Sequence, residues 1–211
     1  MHTYKLYYFV NRGRAEAIRQ VFHLSGTPFT NEILTAETWP PLKDEMPLYQ
    51  VPVLEVDGHH KIGQSVAILR YLGNELGLSG KNHLENGRLD MIAEVIQEFN
   101  NDPGVGHWAY VLMGVDHQDK EDYFRLKVRP GIGKYAPLIE KMLMENGNNG
   151  LFLGDKETWV DVFAAESFGR LLDYGEESSL DAYPHIKAMI TRVHNLSGIR
   201  EHIHNREHTV C

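Results

Sequence analysis

Cysteine is almost absent from this sequence: 211 residues hold a single one, Cys211. A lone cysteine closes no intramolecular disulfide, and without a Cys-x-x-Cys pair a dithiol redox enzyme is excluded. The same scarcity agrees with a reducing compartment, and a cytoplasmic location is the expectation. Long apolar runs are missing too, none approaching the roughly 20 residues that cross a bilayer. The opening Met1-His2-Thr3-Tyr4-Lys5 has no basic segment leading into an apolar one, so no secretory signal is read there. Positive charge is scarce: 21 Lys and Arg against 29 Asp and Glu leave a formal net charge of -8. With no cationic surplus to neutralise phosphates, a nucleic-acid partner is not expected. Gly131-Ile132-Gly133 lacks both a preceding strand and the third glycine of a dinucleotide fingerprint. There is no internal repeat and no low-complexity tract.

What is present is an apolar share of 42%, suited to a globular protein, in a length that allows one large domain or two small ones. Residues 1 to about 78 alternate strand and helix. The run from Tyr4 to Val10 is aromatic and apolar and reads as a short buried strand. The chain then turns at Gly13 into a helix reaching Leu24, with Ile18, Val21, Phe22 and Ser25 on one face. A strand that runs straight into a helix places side chains at the carboxyl end of a sheet, where open α/β folds bind ligands. A tyrosine hydroxyl there, with a reference pKa of about 10, stays protonated at neutral pH and can hold an anion. Alternation pairs Leu6 with Tyr8 and Tyr7 with Phe9. A strand covered on both faces makes that pattern silent on which tyrosine serves.

Pro28 to Ile33 reads as a second strand, and Trp39 to Pro47, rich in proline, as an ordered but irregular loop. Asp57-Gly58 between Val51–Val56 and His59–Ile62 signals a β-hairpin. Gly63-Gln64-Ser65 precedes Val66, Leu69 and Leu72, a helix with Ser65 as its N-terminal cap. Gly77 to Asn82 is a linker, and beyond it the periodicity is helical. Leu89, Ile92, Ala93, Val95, Ile96 and Phe99 suit one long amphipathic helix. Tyr123 to Met144 suits another, interrupted at Pro130-Gly131, and Asn146 to Gly150 is a turn. Thr158 and Asp161 form a variant capping box before Val162-Phe163-Ala164-Ala165. His202, His204 and His208 crowd the tail, and His204 and His208 share an i, i+4 spacing usable by a metal. Only Glu201 and Glu207 accompany them; solvated tail histidines are the plainer reading, and no metal is expected.

Tyr8, Arg14, Trp39, Lys43, Val51-Pro52 and Gln64-Ser65, in the order β-α-β, hairpin, helix, resemble a sigma-class, nematode-type glutathione S-transferase over nearly the full length. The resemblance implies the cytosolic glutathione transferase fold, α/β plus all-α. An N-terminal thioredoxin-like domain, 1–78, is followed by a C-terminal helical bundle, 82–211, that lines an electrophile pocket. It implies a homodimeric enzyme with reduced glutathione as co-substrate and no other cofactor. The enzyme adds the thiolate of that peptide to hydrophobic electrophiles.

By the same resemblance Tyr8 is the catalytic tyrosine, and Arg14 adds positive field. Gln64 and Ser65, at a helix start, take the γ-glutamyl carboxylate. Val51, before a cis Pro52, pairs with the cysteinyl backbone. Trp39, Lys43 and Gln50 hold the glycyl end, and Glu98 of the partner subunit meets the amine. A free thiol has a pKa of about 8.5; lowering it by about two units takes roughly 2.7 kcal/mol, within the roughly 1.5–3 kcal/mol of one charge-assisted hydrogen bond. Two departures stand out. Gln50 replaces a lysine common in relatives, and Gln97 replaces one of an acidic pair in close ones. His107, Trp108, Tyr110, Val111 and Cys211 are candidates for the pocket wall, with core packing an equal reading. Two other activities remain open. One is ligandin-type binding of haem or other hydrophobic anions; the other is glutathione-dependent prostaglandin D2 isomerisation, against which Gln97 counts.

Overall fold

The computed structural model describes residues 2–210, so the candidate Cys211 lies outside the described residues. The chain divides into two compact units, one built from the residues up to Gly77 together with Leu196–Thr209, the other from Leu78–Asn195 with Val210. The last stretch of the expected 82–211 domain is thus counted with the first unit.

Among the described residues, the first unit holds one four-stranded sheet: β1 (Tyr4–Phe9), β2 (Thr30–Leu34), β3 (Val53–Val56) and β4 (His60–Gly63), in the order β2-β1-β3-β4. β1 pairs in parallel with β2, Tyr8 opposite Ile33, and antiparallel with β3, Tyr7 opposite Val53. The central strand is covered on both faces, which is why Tyr4, Leu6, Tyr7 and Tyr8 are all buried. The hairpin expected at Asp57-Gly58 is there. Both residues have positive φ, 53° and 74°, and the His59 amide donates to the Val56 carbonyl at 3.3 Å. Asparagine, aspartate and glycine tolerate that left-handed region best, hence the legibility of this turn.

The first helix, α1, runs Glu16–Ser25, later than the expected Gly13–Leu24. Gly13 has φ +41°, which no helix residue can have, so Asn11 to Ala15 form a turn instead. The amides of Ala15 and Glu16 both donate to the Arg12 carbonyl, at 3.2 and 3.0 Å. The expected irregular loop at Trp39 to Pro47 is largely helical: α2 (Trp39–Leu42), then a 3-10 turn over Lys43–Glu45. Pro40 and Pro41 occupy the first turn, where an N–H has no helical acceptor, so proline starts this helix rather than breaking it. The helix α3 runs Ser65–Glu75. Its N-terminal flanking residue is Gln64, whose side chain makes no capping bond, and Ser65 is the first helical residue rather than the cap the sequence suggested.

The second unit is helical. Its helices are α4 (His83–Asn101), α5 (Pro103–Leu112), α6 (Lys120–Tyr123), α7 (Arg129–Glu145), α8 (Trp159–Tyr174) and α9 (Pro184–His194). The interruption expected at Pro130-Gly131 lies upstream, as a π-helical segment over Phe124–Val128; Pro130 falls in the first turn of α7, where its missing N–H costs nothing. The capping box starts α8: Asp161 accepts from the Thr158 amide at 2.7 Å, the Thr158 hydroxyl at 2.7 Å and the Phe152 amide at 2.9 Å. α8 is buried along most of its length, with Phe168 stacked on Phe99 of α4 at 4.6 Å. The last helix, α10 (Ser197–Asn205), returns to the first unit and packs on α1.

Candidate active site

Tyr7 and Tyr8 are each 8% exposed, so burial does not choose between them. Their hydroxyls do. The Tyr7 hydroxyl donates to Glu55 Oε2 at 3.2 Å; burial and the Glu55 charge push its pKa up. Its proton is committed within the sheet. The Tyr8 hydroxyl instead accepts the backbone N–H of Arg14 at 3.0 Å. Its acceptor side is occupied, and its own proton remains available to an anion. The turn that delivers this amide closes tightly on the ring. A Cβ on Gly13 would lie 2.4 Å from the Tyr8 hydroxyl oxygen.

Beside this turn is a small, solvent-open cleft. Its walls are Arg14, Leu48, Gln50, Val51, Pro52, Gly63, Gln64 and Ser65. Residues far apart in sequence thus meet here, and six of them, Arg14, Gln50, Val51, Pro52, Gln64 and Ser65, were singled out from the sequence. The Val51–Pro52 peptide bond is cis. Gln64 has φ +69° and Tyr49 φ +53°, both left-handed without being glycine. Such residues are costly and cluster where a ligand is held. α3 begins at Ser65, so its first amides, which have no acceptor inside the helix, open beside the cleft wall.

Tyr8, Trp39 and Lys43 are not among the lining residues; Tyr8 adjoins the cleft through its bond to the Arg14 amide. Trp39 packs on the cluster of Tyr7, Leu34, Met46 and Val53, edge-on to Phe9 at 6.2 Å. Lys43 is exposed at the start of the 3-10 turn. In the second unit, Glu98 is exposed on α4 and contributes, after Tyr135 and Asp102, to raising the pKa of Lys134. Gln97 beside it is half-buried. Of the pocket-wall candidates, Trp108 and Val111 are buried, Trp108 against Phe124 at 5.1 Å, so core packing claims them. His107 and Tyr110 are exposed on α5, with His107 Nε2 at 2.8 Å from Asp116.

The tail histidines behave differently from expectation. α10 ends at Asn205, so His204 and His208 share no helix face. His202 is not solvated; it joins Glu16, Arg19 and Arg206 in a buried ionic cluster. The sequence reading passed over Glu16 and Arg19. Their i, i+3 spacing was the available signal, but a charged pair on a helix is usually at the surface.

Two family profiles match the chain: one described as the glutathione S-transferase N-terminal domain over residues 2–74, the other as the C-terminal domain over residues 105–206. The sequence is 54% identical over 209 residues to a Caenorhabditis elegans protein named "Probable glutathione S-transferase gst-36", covering 99% of each chain. It is similar to the crystal structure of the glutathione S-transferase from Ascaris lumbricoides, with a TM-score of 0.90, 34% identity, and 99% of this chain and 100% of that one covered. It is similar also to a Nu-class enzyme from Haemonchus contortus, with a TM-score of 0.86 and 37% identity over 100% of both chains. Two profiles that together span most of the sequence, and a relative 54% identical over nearly the whole of both chains, show that the chain belongs to the glutathione S-transferase family.

Proposed function

We propose that the cleft binds reduced glutathione and that the Tyr8 hydroxyl stabilises its thiolate for attack on a hydrophobic electrophile. The observation that carries this reading is the Arg14 amide donating to the Tyr8 hydroxyl, which engages that oxygen as an acceptor and leaves its proton to serve as a donor. The thiol proton passes to solvent, the sulfur forms a bond to the electrophilic carbon, and a leaving group departs with the electron pair of the bond it breaks. Tyr8 donates one hydrogen bond to the anionic sulfur. Arg14 supplies positive field. The start of α3 at Gln64 and Ser65 takes the γ-glutamyl carboxylate, and the Val51 backbone pairs with the cysteinyl unit. Gln50, Trp39 and Lys43 serve the glycyl end, with Lys43 the charged member because Gln50 is neutral.

The finer reading is a sigma-like enzyme, cytoplasmic and homodimeric, in which Glu98 of the partner subunit meets the ligand's amine. Support for this part is the register of the residues with that class. The ligandin reading, haem included, is the competing outcome of the test.

The test is conjugation of glutathione to a chloronitrobenzene by the parent, Tyr8→Phe and Tyr7→Phe, with retention on immobilised glutathione. Tyr8→Phe is expected to bind yet to lose about ten- to hundredfold in kcat, the equivalent of one charge-assisted hydrogen bond. Tyr7→Phe is expected to keep turnover. Binding without turnover in the parent, or an unchanged Tyr8→Phe, moves the ligandin reading to first place.

A further inference from the structure

Behind the tyrosine lies the ionic cluster that the proposed reaction leaves unused. Glu16, in the first turn of α1, is 2% exposed. Its Oε2 accepts from Arg19 Nη1 at 3.2 Å, and its Oε1 accepts from Arg206 at 2.6 Å and stands 2.9 Å from His202 Nε2. Burial works to raise the carboxyl's pKa, but the hydrogen bonds and charges of His202 and Arg206 overcome it and hold the group well below the usual carboxylate range. The His202 ring stacks on His23 of α1 at 4.3 Å.

Arg19, equally buried, also faces the active turn. Nη2 donates to the Phe9 carbonyl at 2.8 Å and Nη1 to the Asn11 carbonyl at 3.1 Å. Those carbonyls flank Val10, the residue between the end of β1 at Phe9 and the turn that caps Tyr8. The guanidinium carbon lies 5.8 Å from the centre of the Tyr8 ring, within cation–π reach.

We propose that Glu16 and Arg19 are positioning residues for the Tyr8 hydroxyl, anchored from the chain's far end by His202 and Arg206; this rests on the thiol-activating role of Tyr8. The Arg14 amide reaches Tyr8 only if the turn from Asn11 to Ala15 keeps its place. The Arg19 fork pins the turn's first half through two carbonyls, while the Arg12 carbonyl pins its second half through the Ala15 and Glu16 amides. A planar guanidinium with fixed donors can hold both carbonyls and Glu16 at once; an ammonium cannot. Glu16 in turn selects the Arg19 geometry, and α10 neutralises Glu16. One carboxylate faces two permanent cations, Arg19 and Arg206. The cluster therefore carries surplus positive charge behind the tyrosine, which favours an anion bound in front of it.

A cluster that merely docked α10 would change stability and leave the bound thiol alone, so the thiol's ionisation is the deciding readout. The full-length parent, Arg19→Lys, Arg206→Met, Tyr8→Phe and the Tyr8→Phe/Arg19→Lys double variant are titrated with glutathione bound, following thiolate absorbance, with the pH profile of kcat/KM, glutathione Kd and Tm alongside. Arg19→Lys is expected to raise the bound thiol's pKa by about half a unit to one unit, lowering kcat/KM on the acid side by about three- to tenfold, with Kd changed less than about threefold. Arg206→Met is expected to move it the same way by less. Arg19→Lys is expected to add little on top of Tyr8→Phe, because both act through one hydroxyl. Folded Arg19→Lys and Arg206→Met proteins with the parent's thiol pKa overturn the proposal. Should Arg19→Lys fail to fold, Arg206→Met decides alone, since its side chain is 15% exposed and lies at the cluster's margin. A shift in Tyr8→Phe without one in the other two sinks only this inference; no shift in Tyr8→Phe sinks the Tyr8 role and this inference together.

Discussion

Two adjacent tyrosines of equal burial differ in their hydrogen bonding: one hydroxyl gives its proton to Glu55 while the other receives an amide from Arg14. Gly13 makes the second arrangement possible. An alanine there would hold a strained left-handed φ of +41° and press its Cβ against the Tyr8 oxygen. Gly13→Ala is expected to lose about 1–2 kcal/mol in denaturant unfolding and more than about tenfold in kcat/KM. Glutathione retention should fall less, because the cleft walls at Val51 and Gln64 are elsewhere. Glu16 yields a pH signature. Its carboxyl is held below its ordinary value of 4.5 in the folded state. At a pH below 4.5 the unfolded chain takes up a proton that the folded chain resists, so the stabilisation present above that pH is lost as the pH falls. Urea midpoints are expected to show Glu16→Gln less stable than the parent at neutral pH, with the gap narrowing below about pH 4.5. Neither residue announced its role in the sequence: Gly13 reads as a turn, and Glu16 as one more acid in a first helical turn.

At the scale of the element, local chemistry was well legible where it closed on itself. The Thr158–Asp161 box starts α8, and the Asp57-Gly58 turn joins β3 to β4. Asp161→Ala removes a cap and strands the Phe152 and Thr158 amides, and is expected to cost about 2–4 kcal/mol in chemical unfolding. Legibility failed where proline had two readings. Pro40 and Pro41 start α2, and Pro130 falls in the first turn of α7, although the sequence suggested a loop and a break. α10 depends on Gly198, where a Cβ would stand 2.1 Å from the His23 carbonyl oxygen. Gly198→Ala is expected to push α10 off α1, costing about 1–3 kcal/mol and opening the tail to limited proteolysis.

For the molecule as a whole, the notable consequence is that the first unit needs the end of the chain. Ile199 is fully buried, and His202 and Arg206 both hydrogen-bond Glu16. A chain ending at Asn195 keeps every cleft residue yet leaves Glu16 with Arg19 as its ionic partner from this cluster. It is expected to be less stable by about 3–5 kcal/mol in the first unit, seen as a lowered Tm and lost amide protection in α1.

The sequence by itself determined the β-α-β, hairpin, helix order of the first unit apart from α2, the capping box, the absence of an internal disulfide and the family whose residues stand in register. Each of these depends on periodicity, turn chemistry or residue type, which are properties of neighbours along the chain. Only the tertiary structure decided which tyrosine hydroxyl is left with a proton to give, which of the singled-out residues share the cleft, and that His202 and Arg206 reach back to Glu16. Those outcomes join atoms across separations as large as 186 and 190 residues, and turn on a backbone amide delivered by a left-handed glycine. Local pattern carries no record of which distant partner arrives, because burial selects that partner only once the chain has folded around it.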